Sequence, residues 1–195
     1  EALKKMGVKY KLVDGYINAK AKNGLVGAKI KFPKISVGAT ENLMIAACLA
    51  KGQTVLSNCA IEPEIKDLSN FLCSIGAKIV WTGRRQVKII GIKTFKQSNY
   101  KIMFDRIEAG TMLVAAAVNQ GNLKLTGIET DILKTEINVL KKIGAKIIQK
   151  KNEIIIQGNK KIKNINIKTS PYPGFPTDLQ SQLMVLLCKA NKKST

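Results

Sequence analysis

Apolar residues recur at helical spacing, then at alternate positions, then at helical spacing again along most of this chain. Between Glu62 and Ile75, the residues Ile65, Leu68, Leu72 and Ile75 share one helix face, and acidic residues occupy the first turn. Between Thr130 and Ile143, the residues Ile132, Leu133, Ile137, Leu140 and Ile143 do the same. Each pattern stops at a glycine, Gly76 or Gly144, which suits a left-handed position at a helix end. Beyond the glycine the period shortens. AKIVWTGRRQVKIIGI and AKIIQKKNEIIIQG each read as two strands around a polar turn, and VKYKLVDGYINAKA reads likewise with a turn at Asp14-Gly15.

A second and more apolar helix is predicted ahead of each amphipathic one, in GATENLMIAACLAKG and AGTMLVAAAVNQG, and TDLQSQLMVLLCKAN begins a third. The segments LKKMGVK, LCSIGAK and LKKIGAK set the register, because Gly7, Gly76 and Gly144 stand 69 and then 68 residues apart. The chain is therefore read as α/β, built from repeated units of about 68 residues that close into compact domains. Only six residues precede Gly7 and the last copy halts after its first helix, so the expectation is a window from a longer protein.

Composition narrows the picture. With 195 residues, 45% of them hydrophobic, the chain can bury a substantial core in one or two domains. No apolar run reaches the ~20 residues of a membrane span, so membrane insertion is not expected. Cys48, Cys59, Cys73 and Cys188 show no CxxC pattern and read as buried thiols, not as metal ligands or nucleophiles. There is no His, which excludes His-based acid/base chemistry within these residues. The net charge of +20 invites a nucleic-acid reading. Against it, 30 of the 33 basic residues are Lys spread along the chain and aromatics are 5%, whereas base readout and stacking favour Arg and aromatic platforms. No nucleic-acid partner is expected; the charge could instead draw anionic small substrates to a cleft.

Three stretches at predicted helix starts hold the candidate chemistry. In FPKISVGAT, Lys34, Ser36 and the N–H groups from Val37 to Ala39 would converge where a phosphate is best stabilised, though Ser36 or Thr40 as a simple N-cap and Gly38 as a turn explain the same residues. In FDRIEAGT, Asp105, Arg106 and Glu108 set three charges before an apolar helix, a pattern that a local salt bridge with capping also explains. In SPYPGFPTDLQSQL, three of the five prolines stiffen the approach to Thr177 and Asp178; Asp178 could cap the helix or serve as a general base held on a rigid loop. Their equivalent places in successive units suggest one shared anionic-ligand site.

KISVGATENLMIAACLAKGQT, EPEIKDLSNFLCSIGAKI, DRIEAGTMLVAAAV and FPTDLQSQL closely resemble the UDP-N-acetylglucosamine 1-carboxyvinyltransferase family, and the resemblance extends over essentially the whole chain. It implies an inside-out α/β barrel of two similar domains, each of three repeat units, with the active site in the cleft between them. On that reading residues 1–103 form most of one domain and 104–195 part of the second. The resemblance also implies transfer of the enolpyruvyl group of phosphoenolpyruvate to the 3-hydroxyl of UDP-N-acetylglucosamine, in the bacterial cytoplasm, without metal or cofactor. Lys34, Ile35, Ser36 and Val37 would contact the uridine-diphosphate part, with Gly38 completing the turn. Asp178 would take the hydroxyl proton, with Thr177 beside it. Asp105, Arg106 and Glu108 would shape the cleft, and Glu62 and Glu64 match the family pattern but read first as helix caps. The family's Lys-Asn pair, its catalytic Cys or Asp loop and its later arginines fall outside these residues, so the isolated piece is expected to be inactive. Two alternatives stand beside this one: the sister transferase acting on shikimate 3-phosphate, whose phosphate-binding serine pair is not seen at Ser36-Val37, and a Lys-rich anion or nucleic-acid binding module without catalysis.

Overall fold

The computed structural model describes residues 1–195, which divide into two compact units, Glu1–Ile102 and Met103–Thr195. In the first unit a short helix α1 (Ala2–Lys5) leads into the hairpin β1 (Lys9–Val13) and β2 (Tyr16–Lys20). Asp14 and Gly15 both have positive φ, 49° and 80°, as a tight turn that follows the right-handed twist of its strands requires. A second sheet then runs in the order β3 (Lys29–Lys31), β4 (Gln53–Ser57), β6 (Gln86–Ile90), β5 (Lys78–Gly83). β3 pairs parallel with β4, and the other two pairings are antiparallel.

Helices α2 (Val37–Cys48) and α3 (Pro63–Ser74) pack with this sheet around a core that includes Met44, Leu56, Ile65 and Ile89, all fully buried. Strand β6 shows how the pattern works, since Val87 and Ile89 point inward while Gln86 and Ile90 face out. Pro63 opens α3 at a position where its missing N–H costs nothing. Just beyond the helix, Gly76 adopts φ +101°.

In the second unit α4 (Arg106–Val118) and α5 (Lys134–Ile143) pack with a three-stranded antiparallel sheet in the order β7 (Asn122–Thr126), β9 (Glu153–Gln157), β8 (Lys146–Lys150). A 3-10 turn at Thr130–Leu133 leads into α5, and a second at Thr177–Leu179 leads into α6 (Gln180–Leu187). Leu113, Leu133, Ile137, Ile154 and Ile156 are fully buried in this unit's core. Gly144 closes α5 in the left-handed conformation, φ +116°. Both units thus run apolar helix, strand, amphipathic helix, hairpin in the same order. No helix is long and apolar enough to cross a membrane.

The cysteines divide in a way their apolar neighbours do not announce. All four are free, Cys48 and Cys59 are buried, but Cys73 and Cys188 are exposed. Cys73 lies near the C-terminal end of α3 on the side away from the core, so local hydrophobicity alone misplaces it.

Candidate functional site

In the first unit the segment from Lys34 to Gly38 runs from the short connection after β3 into the first turn of α2, and side-chain hydrogen bonds from Asn58 and Thr40 hold it. Asn58, in a left-handed conformation at the end of β4, donates its side-chain amide to the Phe32 carbonyl at 2.9 Å. Thr40, fully buried, donates its hydroxyl to the Ser36 carbonyl at 2.8 Å and accepts the Ala60 N–H at 3.0 Å. Ser36 is the N-cap of α2, its Oγ accepting the Ala39 N–H at 3.3 Å. The N–H groups of Val37 and Gly38, in the first turn, have no acceptor within the helix. Lys34, Ser36 and Gly38 are exposed, while Ile35 and Val37 are half-buried against the core. The sequence expectation for Gly38 needs correction. It is not a turn residue but the second residue of α2, without a positive φ, and a Cβ placed there would meet nothing within 4 Å.

Glu62 also departs from expectation. It occupies the N-cap position of α3 but makes no side-chain cap hydrogen bond, and it is buried, 5% exposed.

In the second unit Asp105 caps α4, its carboxylate accepting the N–H of Ile107 at 2.7 Å and of Glu108 at 3.2 Å. Glu108 stands exposed in the first turn. Arg106 turns inward. It is 5% exposed and its Nη1 lies 3.5 Å from Oε1 of the equally buried Glu136. The salt bridge is therefore real but not local, since its partner is on α5.

The proline-rich loop that follows is compact. The Gly174 N–H donates to the Pro171 carbonyl at 2.9 Å and the Ser170 N–H to the Phe175 carbonyl at 3.0 Å. Phe175 and Pro176 are buried, and Thr177 and Asp178 emerge exposed at the start of the 3-10 turn. Asp178 is the N-cap of neither that turn nor α6, positions held by Pro176 and Leu179, so the capping explanation for it is not realised.

The two second-unit motifs are brought together. Leu179, buried directly after Asp178, lies so close to Gly110 of α4 that a Cβ at Gly110 would collide with its methyl groups. One turn further on, Gln182 donates to the Thr111 hydroxyl at 3.1 Å. Thr40, an N-cap candidate in the sequence, lies instead inside α2; Asn58 carries no sequence signal, and only a glycine interrupting a helical run signals Gly110. No group of three or more His, Cys, Asp or Glu side chains is placed to hold a metal ion.

A chain with this fold and these motifs is at home among the enolpyruvyl transferases, and comparison with known proteins bears this out. The family description EPSP synthase (3-phosphoshikimate 1-carboxyvinyltransferase) matches residues 1–194, and the chain belongs to that family. Among curated relatives, UDP-N-acetylglucosamine 1-carboxyvinyltransferase of Pelagibacter ubique is 69% identical over 194 residues, 100% of this chain and 46% of the relative. The Geotalea uraniireducens protein of the same name is 45% identical over the same shares. UDP-N-acetylglucosamine 1-carboxyvinyltransferase 2 of Clostridium tetani is 47% identical over 187 residues, 96% of this chain and 45% of its own length. The chain thus spans about half the length of the curated relatives it matches. Among solved structures, the enolpyruvyl transferase NikO from Streptomyces tendae superposes with a TM-score of 0.83 at 21% identity, over 96% of this chain and 48% of that one. EPSP synthase from Acinetobacter baumannii gives 0.59 at 17% identity, over 94% of this chain and 41% of that one. At such identities these two likenesses speak for the fold alone.

Proposed function

We propose that this chain is the part of a bacterial, cytoplasmic UDP-N-acetylglucosamine 1-carboxyvinyltransferase that grips the nucleotide and presents the general base. The observation behind this reading is the 69% identity to the Pelagibacter ubique enzyme across the whole chain. The shikimate 3-phosphate alternative is not favoured, because the similar curated relatives share the UDP-N-acetylglucosamine name. In the proposed site Lys34 supplies a charge-assisted contact to a phosphate, and the first-turn N–H groups at Val37 and Gly38 add the favourable end of the α2 dipole. The absent side chain at Gly38 leaves open space in which a pyrophosphate can approach the backbone. Ile35 and Ser36 border that space, and Thr177 lies beside the base.

The reaction is addition followed by elimination. Asp178 accepts the proton of the sugar 3-hydroxyl as that oxygen bonds to C2 of phosphoenolpyruvate, while C3 gains a proton. The C2–O bond to phosphate then breaks, C3 gives up a proton and the double bond returns, leaving the enolpyruvyl ether and inorganic phosphate. Asp178 suits this role by being exposed, free of capping and mounted on a loop with little freedom. In the cell the product would enter peptidoglycan synthesis.

The test uses the full-length protein that contains this chain. Phosphate release from phosphoenolpyruvate should require UDP-N-acetylglucosamine, and shikimate 3-phosphate should not replace it. Asp178→Ala should lower kcat by about 10²–10⁴-fold, the usual contribution of a general base, with an unfolding midpoint close to that of the parent. Near-normal turnover of this variant would remove the base assignment, and turnover with shikimate 3-phosphate would remove the substrate assignment.

A further inference from the structure

We infer that the buried Arg106 and Glu136 and the half-buried Tyr172 form a clamp that positions the loop carrying Asp178. This rests on the reading of Asp178 as the base and adds the residues that aim it.

The Arg106 guanidinium carbon lies 5.8 Å from the centroid of the Tyr172 ring, within the range at which a cation is held by an aromatic face. Its Nη1 is 3.5 Å from Oε1 of Glu136, an ion pair that ties Arg106 to α5 while its guanidinium meets the ring. Beside Glu136, Thr135 donates its hydroxyl to the Pro173 carbonyl at 2.7 Å. The start of α5 therefore holds two successive residues of the loop, one through Arg106 and one directly. From the other end, Leu179 is seated on Gly110 and Gln182 is bonded to Thr111. Thr177 and Asp178 lie between these anchorages, and no cap bond restrains the carboxylate itself.

A buried Arg–carboxylate pair is a weak device for stability alone, because apolar residues of similar size often do as well. Its use here is geometric. A flat cation locked by a carboxylate gives Tyr172 one place to lie, and the prolines and the Phe175 anchor transmit that place to Asp178. A displacement of about 1 Å at a reacting group can cost about 10²-fold in rate, so the clamp is worth more to turnover than to substrate binding.

The experiment is a double-mutant cycle in the full-length enzyme. Tyr172→Leu should lower kcat by about 10–10²-fold, with KM for UDP-N-acetylglucosamine moving less than about threefold, and Tyr172→Phe, which keeps the ring, should lose far less. Thr135→Val, a milder change near the surface, should act in the same direction. In an Asp178→Ala background Tyr172→Leu should cause almost no further loss, because the group it aims is already gone. A full multiplicative loss in that background, or a KM effect that dominates kcat, overturns the clamp while leaving Asp178 as the base. An Asp178→Ala variant that turns over normally overturns both.

Discussion

At the scale of single residues, glycine shows best how the same residue type serves opposite ends. A Cβ at Gly91 would run into the Ala50 carbonyl oxygen, a backbone atom that cannot step aside, whereas a Cβ at Gly38 would meet nothing. Gly91→Ala should therefore destabilise the first unit by about 3 kcal/mol, the upper end of overpacking effects. Gly38→Ala should leave stability unchanged or raise it by up to ~1 kcal/mol, since alanine is the better helix residue. If the α2 N-terminus receives the pyrophosphate, the same Gly38→Ala change should weaken UDP-N-acetylglucosamine binding by at least about tenfold, roughly 1.4 kcal/mol. Denaturant melts and titration calorimetry on the full-length protein read the two effects separately. Unaltered affinity would detach Gly38 from the site. Neither glycine could be sorted from sequence, where both are simply small residues near the edge of an apolar run.

At the scale of elements, the helix starts were legible and their caps were not equally so. Ser36 and Asp105 each precede an apolar run, and both are N-caps, but Asp105 accepts two N–H groups at 2.7 and 3.2 Å and Ser36 one at 3.3 Å. Loss of a cap costs about 0.5–2 kcal/mol. Asp105→Ala should fall near the top of that range and Ser36→Ala near the bottom, and equal shifts in the denaturation midpoint, or the reverse order, would contradict the geometry. Glu62 had the sequence of a cap as well, yet its side chain is buried. The hairpins were legible because the Asp14-Gly15 turn and the alternating strands are local properties. Arg106 was not, since its partner Glu136 is thirty positions away and nothing in the motif DRIEAGT points to it.

At the scale of the whole molecule, the four thiols form a natural set of reporters. Burial pushes the Cys48 thiol up to about 11, and burial likewise pushes Cys59 up to about 11, against an ordinary value of about 8.5. Folding therefore keeps these two groups protonated where the unfolded chain would lose their protons. Their contribution is fully present below about pH 8.5 and declines as pH rises to about 11, so the unfolding midpoint should drop across that window. At neutral pH a thiol reagent should modify Cys73 and Cys188 quickly and Cys48 and Cys59 only on unfolding, as peptide mass spectrometry would show. Uniform labelling of all four would contradict the burial described for them.

What the sequence determined by itself was everything encoded within a turn or two of chain: the alternation of helix and hairpin, the glycines that end helices, the family motifs and the positions of Lys34 and Asp178. These are legible because periodicity, left-handed glycine and proline stiffness act over a few residues. Tertiary structure alone decided that Gly38 lies inside a helix with open space above it, that Cys73 and Cys188 face solvent, and that Arg106 turns from the surface to a buried carboxylate. Those outcomes depend on which distant segment the folded path brings alongside, as α5 is brought to Arg106 and Leu179 to Gly110. Such proximity follows from burying the core of the second unit, a requirement that no short stretch of sequence states.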